Sequence, residues 1–299
     1  MTQAVFVGLS TIDIVYEVDE FPAIDSKVAA NSQSVYVGGP ATNAAIAFAQ
    51  LGGRPSLVTA VGRHLLSGMV RDELQKHTVQ LIDLNPAFDE VPVISSVSVD
   101  RNGNRNVVSA NASRVATPAP AVDAGLLQHA GIVLVDGHYM EACQAWAKAA
   151  RDNKIPVVLD GGSWKKGTVE LLANVHTAIC SADFLPPGCT TKDEVIQFLK
   201  NAGVVRVAIT DGAAPIHFVS GAAEGTLSVP QVEVVDTMGA GDIFHGAYCW
   251  FASTGHGFVE SLAEAANIAS ESCRYRGTQA WAEARPAGSF SATPRSGAQ

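Results

Sequence analysis

The chain has 299 residues, 47% apolar and 16% charged, enough to bury a sizeable core in one large α/β domain or one domain with a small appendage. A formal net charge of −9 and a pI near 5.3 argue against a nucleic-acid or anionic-membrane partner, though one basic pocket could still bind phosphates. No basic leader with an apolar stretch opens the chain and no run of 18 apolar residues occurs, so a soluble, cytoplasmic protein is expected.

Residues 4–8 read as a short buried strand ending in Gly8. Residues 11–16 follow, with Asp13 set among apolar neighbours. Open α/β sheets bind ligands just past the carboxyl ends of their strands, and a carboxylate there can accept two hydroxyls; the plainer reading of Asp13 is a turn residue. Residues 35–37 run as a strand into Gly38-Gly39 and then into an alanine-rich helix closed by Gly52-Gly53. Gly38 and Gly39 let a ligand approach the backbone. Asn43, near the helix start, offers an amide to hydroxyls or simply caps the helix.

Residues 57–62 form another strand and 69–77 a helix. Over 91–110, Val93, Ser95, Val97 and Val99 alternate with a second set, and Asn102-Gly103-Asn104 marks a turn, so a hairpin is expected. Asn104 and Arg105 stand where turn becomes strand. From residue 132 the pattern is regular: strand 132–137, helix 140–152, strand 156–161, segment 167–173, strand 176–180, strand 204–210. Such alternation implies a parallel sheet covered by helices on both faces. The last of these strands ends in a loop holding Thr210 and Gly212.

The densest stretch is 232–244. Val232, Val234 and Val235 read as the end of a strand, Gly239-Ala240-Gly241 as a turn without bulk, and Asp242 as the start of a helix with Ile243, Phe244, Ala247, Trp250 and Phe251 at helical spacing. A glycine turn feeding a helix leaves N–H groups pointing outward, which with the helix dipole suit an anion. A carboxylate beside that anion hole would repel a bound anion. It makes sense as a base that takes a proton from an attacking hydroxyl while the hole holds a phosphoryl group in transfer. Residues 257–275 are helical and include Asn267, which periodicity alone does not separate from a surface residue; 285–299 read as a disordered tail. Five scattered cysteines (143, 180, 189, 249, 273) read as reduced packing thiols, and eight histidines show no metal-ligand spacing.

Two of these stretches carry a resemblance. Gly38-Gly39-x-x-x-Asn43-x-Ala45, followed by Ala49-x-Leu51-Gly52, and Asp236-Thr237-x-Gly239-Ala240-Gly241-Asp242 resemble the N- and C-terminal signatures of the ribokinase-like (PfkB) carbohydrate and nucleoside kinases. The resemblance spans roughly residues 4 to 282. It implies a single kinase domain over 1–284, a three-layer α/β sandwich with a mainly parallel sheet, plus a small β-sheet lid from about 12–37 and 91–112. It implies an ATP-dependent sugar kinase that phosphorylates a hydroxyl of a ketohexose or related sugar. The alternatives are an adenosine-type nucleoside kinase or a catalytically silent sugar-binding relative. By resemblance Asp13, Gly38, Gly39 and Asn43 hold the sugar, with Asn104 and Arg105 closing from the lid. Asp242 is then the base, and the N–H groups of Gly239, Ala240 and Gly241 stabilise the phosphoryl group. Thr210, Gly212 and Asn267 meet the nucleotide, Mg²⁺ bridges its phosphates, K⁺ sits near Asp236, and the lid pairs two subunits.

The chain also departs from that pattern. Where many members carry Asn-x-x-Glu, this sequence has Ser181-Ala182-Asp183-Phe184; where many carry Asp-x-Asn-x-Arg, it has Asp160-Gly161-Gly162-Ser163-Trp164, followed by Lys165 and Lys166. These changes alter the expected magnesium arrangement. With the Asn-Gly-Asn-Arg run at 102–105, they lean the expectation away from ribokinases, towards ketohexokinase-type and sulfofructose kinase-type members. A dinucleotide-binding fold is disfavoured, because Gly8-Leu9-Ser10-Thr11 lacks the required glycine spacing.

Overall fold

The computed structural model describes residues 1–110, 112, 115, 117–118 and 120–284; the tail expected over 285–299 lies outside the described residues. In chain order the elements are β1 Gln3–Val7, β2 Thr11–Glu17, β3 Ser32–Gly38, α1 Pro40–Gln50, β4 Arg54–Thr59, α2 Ser67–Lys76, β5 Gln80–Asp83, β6 Ile94–Val99 and β7 Arg105–Ser109. There follow α3 Ala124–His129, β8 Ala130–Val135, α4 Met140–Asp152, β9 Val157–Gly161, α5 Thr168–Leu172, β10 Thr177–Ser181, α6 Lys192–Asn201 and β11 Arg206–Asp211. The chain continues through β12 Ala214–Ser220, β13 Ala223–Leu227, α7 Ala240–Ser253, α8 Phe258–Ser272 and α9 Ala280–Glu283.

Nine strands form the central sheet in the order β13-β12-β11-β10-β9-β8-β1-β4-β5. Every pairing from β5 to β11 is parallel, and β12 and β13 close one edge as an antiparallel hairpin. Alternate side chains of each strand go to opposite faces. Phe6, Leu134, Val158, Ile179 and Ala208 pack with α1, α7 and α8 on one face. Val5, Val7, Val133, Leu159, Cys180 and Ile209 pack with α4 and α6 on the other. This is the expected three-layer sandwich.

The second, smaller sheet is built from the strands expected to form the lid, in the order β3-β2-β6-β7, with β2 and β6 parallel and the outer pairs antiparallel. Its register puts Asp13, Ser95 and Ser109 side by side in one row across three strands. The Asn-Gly turn closes on Asp100, whose Oδ1 accepts the N–H groups of Asn102 (2.8 Å) and Asn104 (2.9 Å).

Three local expectations change. Residues 232–235 are not strand: the hairpin β12–β13 already fills that sheet edge, and Val234 and Val235 remain more than half exposed. Instead the N–H groups of Val235 and Asp236 both donate to the Cys273 carbonyl, at 2.8 and 3.1 Å, tying this stretch to the end of α8. The hairpin itself carries no strong alternation. Helix α6 was legible in principle: Thr191 and Glu194 form a complete capping box at its start.

Candidate active site

The site forms where α1 and α7 cross. Gly246 makes that approach possible, since a Cβ there would lie 2.2 Å from the Ala44 carbonyl oxygen of α1. The crossing brings Asp242, in the first turn of α7, to Asn43 in α1, 199 residues away: Asn43 Nδ2 donates to Asp242 Oδ2 at 2.7 Å. Asn43 is 6% exposed and its Oδ1 has no protein partner among the described residues, so it is placed to accept from a bound hydroxyl.

Two cavities meet at the start of α7. The first, about 500 Å³, lies under the lid and is lined by Asp13, Asn43, Ser95, Arg105, His138 and Asp242, with Gly39 and Gly239 among its backbone walls. The second, about 420 Å³, is lined by Thr210, Gly212, Thr237, Ala240, Gly241 and Ser270 among others. Asp242 therefore belongs to one cavity, and the turn before it to both.

Glycines shape the walls. Gly39 holds φ +97° and caps α1; a Cβ there would meet the Leu9 carbonyl oxygen at 2.3 Å. Gly38 does not line the cavity. It makes room for Asp13, whose Oδ2 would lie 2.1 Å from any Cβ at 38. Burial raises the pKa of the Asp13 carboxyl, and the neighbouring Thr11 and Ser95 hydroxyls oppose the shift.

Of the three N–H groups expected to form an anion hole, that of Ala240 bends to the Thr237 carbonyl at 3.3 Å. Those of Gly239 and Gly241 have no protein partner among the described residues, as befits a helix start. Gly239 holds φ +68°, and a Cβ on Gly241 would meet nothing within 4 Å. The turn thus opens towards the second cavity with little steric obstruction.

Burial pushes the Asp242 carboxyl up to about 7, and the Asp160 carboxylate adds to the rise. The Asn43 hydrogen bond and His245 pull it back. His245, one turn further along α7, has Nδ1 2.7 Å from the Gly241 carbonyl oxygen and Nε2 3.1 Å from that of Ile179. Carbonyl oxygens only accept, so both contacts are hydrogen bonds only when the ring carries two protons. Asp160 Oδ2 lies 3.5 Å from Nδ1 and has no hydrogen-bond partner among the described residues. Asp160 is itself 6% exposed, and burial raises its pKa.

If Asp242 is the base, its carboxyl, pushed up to about 7 by burial, must be ionised to act, so kcat/KM is expected to fall below about pH 7 with the slope of one proton. Asp160→Asn removes a negative neighbour, lowers the Asp242 pKa and should move that limb to lower pH. A pH–rate profile checks it; an unmoved limb would show that Asp160 does not act on Asp242.

Several expected site residues sit elsewhere. Asn104 does not line the lid cavity; its Nδ2 donates to Asp100 Oδ2 at 2.8 Å inside its own turn. Asn267 is exposed and its amide donates to Glu264 at 3.3 Å. The face of α8 that lines the second cavity carries Ala266, Ala269, Ser270 and Cys273, and one residue beyond Ala266 is a turn of roughly 100° away. Arg105 does line the lid cavity, but its guanidinium donates to Asp236 (2.9 Å) and Thr237 (2.8 Å).

Sequence reasoning missed Asp136, 2% exposed at the carboxyl end of β8, which accepts the N–H groups of Leu9 (2.8 Å), Ala41 (3.3 Å) and His138 (2.9 Å). It pins the β1–β2 connection, the first turn of α1 and the segment after β8 together. An Asp ending a strand before glycine was the available signal. The two departures from the expected magnesium motifs also come together: Phe184, 1% exposed, packs edge-to-face on Trp164 with centroids 5.5 Å apart. An aromatic contact occupies both positions.

The family model described as pfkB family carbohydrate kinase matches residues 1–285. The chain belongs to that family. Its members are kinases that phosphorylate an alcohol group, and a buried carboxylate, Asp242, beside a glycine turn fits that chemistry. The chain is 25% identical over 282 residues to the ribokinase of Bacillus subtilis (strain 168), covering 91% of this chain and 93% of that one. It is 26% identical over 246 residues to the aminoimidazole riboside kinase of Salmonella typhimurium, covering 74% and 77%. In fold it resembles Arabidopsis thaliana ribokinase complexed with ribose and ATP, with TM-score 0.76, 22% identity and coverage of 92% and 93%. These relatives do not support the leaning towards ketohexokinase-type members. Among the described residues of this kinase no helix is long and apolar enough to cross a membrane.

Proposed function

We propose that this PfkB-family protein is an ATP-dependent kinase of a small free sugar. The observation that carries the reading is the position of Asp242, its oxygen held by Asn43 in one cavity while the Gly239–Gly241 turn opens into the next. Asp13 and Asn43 receive the sugar hydroxyls, with Gly39 allowing close approach and Arg105 on the lid. Asp242 takes the proton of the reacting hydroxyl. The N–H groups of Gly239 and Gly241 and the α7 dipole hold the phosphoryl group, whose transfer depends mostly on positioning and charge. ATP lies along Thr210, Gly212 and the Ala266–Ser270 face. The likeness to relatives named ribokinase supports the reading.

Mg²⁺, when bound to the nucleotide, neutralises phosphate charge. No group of three acidic, His or Cys side chains that could hold a metal exists among the described residues. Asp183 is the carboxylate on the second cavity beside the Trp164–Phe184 contact, and it is where such an ion would meet protein.

The substrate is a pentose or a ketohexose. The lid row Asp13–Ser95–Ser109 is polar and, among the described residues, the cavity wall contains no Phe, Tyr or Trp to stack on a nucleobase. The likeness to relatives named ribokinase supports including ribose beside fructose. ATP consumption with ribose, fructose, a sulfofructose, fructose 6-phosphate and adenosine tests this: selective turnover of one free sugar is expected. Turnover of adenosine alone would establish the nucleoside reading, which the riboside kinase relative favours. ATP binding without turnover of any would indicate a silent relative.

The lid also suggests a homodimer. Val35 and Val108, on its outer face, are 45% and 74% exposed, and β7 is an open edge. Light scattering should give twice the 31.1 kDa chain mass, and Val108→Glu should halve it.

A further inference from the structure

Asp236 is a junction. Its Oδ1 accepts the Met238 N–H at 2.9 Å, inside the turn that leads to the base. Its Oδ2 accepts the Gly277 N–H at 3.0 Å, from the segment between α8 and α9. Its own N–H donates to the Cys273 carbonyl at 3.1 Å. A carboxylate in this position orients the turn that presents Gly239 and Gly241. With most of its side chain shielded from water, it favours a positive partner.

That partner comes from the other sheet. Arg105 opens β7, at the lid edge, 131 residues away in sequence. Its Nη2 donates to Asp236 Oδ1 at 2.9 Å and to Thr237 Oγ1 at 2.8 Å. The two side chains are 29% and 24% exposed, so the pair is largely shielded from solvent. Both carboxylate oxygens are thereby engaged by N–H donors. A monovalent cation at the same carboxylate would have to displace the guanidinium or sit against a like charge.

We propose that Arg105 is the cation of the Asp236 site. It is a positioning residue, acting through Asp236 and Thr237 on the turn before the base, and it stands in for a free monovalent ion. The inference rests on the kinase reading above. Being covalently tethered, it needs no ion concentration to fill the site. Because it belongs to the lid, the same contact joins lid closure to the ordering of the anion-binding turn. The expectation of K⁺ near Asp236 is therefore replaced by a cation built into the chain.

The test is thermal unfolding of the whole protein without substrate, in KCl, NaCl or N-methyl-D-glucamine chloride at equal ionic strength. The wild-type Tm should be the same in all three. Arg105→Gln empties the charge from the site and should gain a saturable, K⁺-selective rise in Tm of about 2–4 °C at tenfold excess over Kd. Arg105→Lys keeps a tethered charge and should remain indifferent to K⁺. With a substrate in hand, turnover should follow the same pattern: no K⁺ requirement in wild type, and K⁺ rescue of kcat in Arg105→Gln. A saturable K⁺-selective stabilisation of wild type equal to that of Arg105→Gln overturns the proposal. So does an Arg105→Gln protein whose Tm ignores K⁺. The unfolding readout requires no turnover, so failure of the sugar assay and failure of this proposal are told apart.

Discussion

Asp242→Asn lowers kcat by about 10²–10⁴-fold and leaves sugar and ATP affinity nearly unchanged, if the carboxylate acts only as base. The substitution is close to isosteric, and the new amide oxygen can still accept the Asn43 Nδ2 hydrogen bond now made to Oδ2 at 2.7 Å. Nothing else at the site needs to move. Stability should change in the opposite direction. The pKa of the carboxyl is raised in the folded protein to about 7 from an ordinary 3.8. Ionisation therefore costs folding free energy that accumulates as pH rises from about 4 through about 7. A neutral amide avoids that cost, so at pH 8 the Asn variant should melt higher than wild type while turning over far more slowly. Paired measurement of kcat, ligand affinity by calorimetry and Tm checks all three statements. Near-normal turnover ends the assignment of the base; a lower Tm would mean that the ionised carboxylate is held more favourably than its burial implies.

Gly39→Ala should destabilise the protein by about 2–4 kcal/mol, the sum of positive-φ strain and a forced backbone shift. Gly39 holds φ +97°, which an L side chain rarely adopts, and its Cβ would stand 2.3 Å from the Leu9 carbonyl oxygen. Neither side can yield cheaply. The Leu9 N–H is held by Asp136, and Gly39 caps α1, which is almost wholly buried. The shift would travel along α1 to Asn43 and loosen its bond to Asp242. The expected result in denaturant is a lower midpoint with an unchanged m-value, together with a loss of kcat beyond what the remaining folded fraction explains. Gly103→Ala is the control: Gly103 has a positive φ of +79°, but a Cβ there would meet nothing within 4 Å, so only the strain component should appear. Equal losses at the two glycines would show that the close approach to Leu9 is unimportant.

The parts of this protein determined by sequence alone are those in which a few neighbouring residues decide their own conformation. Helix α4 occupies the residues that its spacing indicates, because apolar positions such as Ala142, Cys143, Trp146, Ala147 and Ala150 fall on one face whatever they pack against. The lid hairpin was legible from valine alternation and an Asn-Gly turn, and the α7 start from Gly-Ala-Gly-Asp. Asp13, Gly39, Asn43 and Asp242, which line one cavity, were legible as a set because each stands within or just before the first few residues of a strand or helix. What tertiary structure decided is who faces whom. Asn43 meets Asp242 only because α1 and α7 cross at Gly246, and a sequence separation of 199 residues carries no local trace of that contact. Asn104 and Asn267 have plausible identities at plausible positions, yet one amide closes its own turn and the other stands off the cavity face of its helix. Three valines at 232–235 suit a strand, but the β12–β13 hairpin had already taken the sheet edge; Val232 and Val234 line a cavity instead, and Val235 is tied to the end of α8. Asp136, His245 and the Arg105–Asp236 pair are long-range in the same way. Their roles depend on charges and carbonyls that only the closed fold brings within hydrogen-bonding distance.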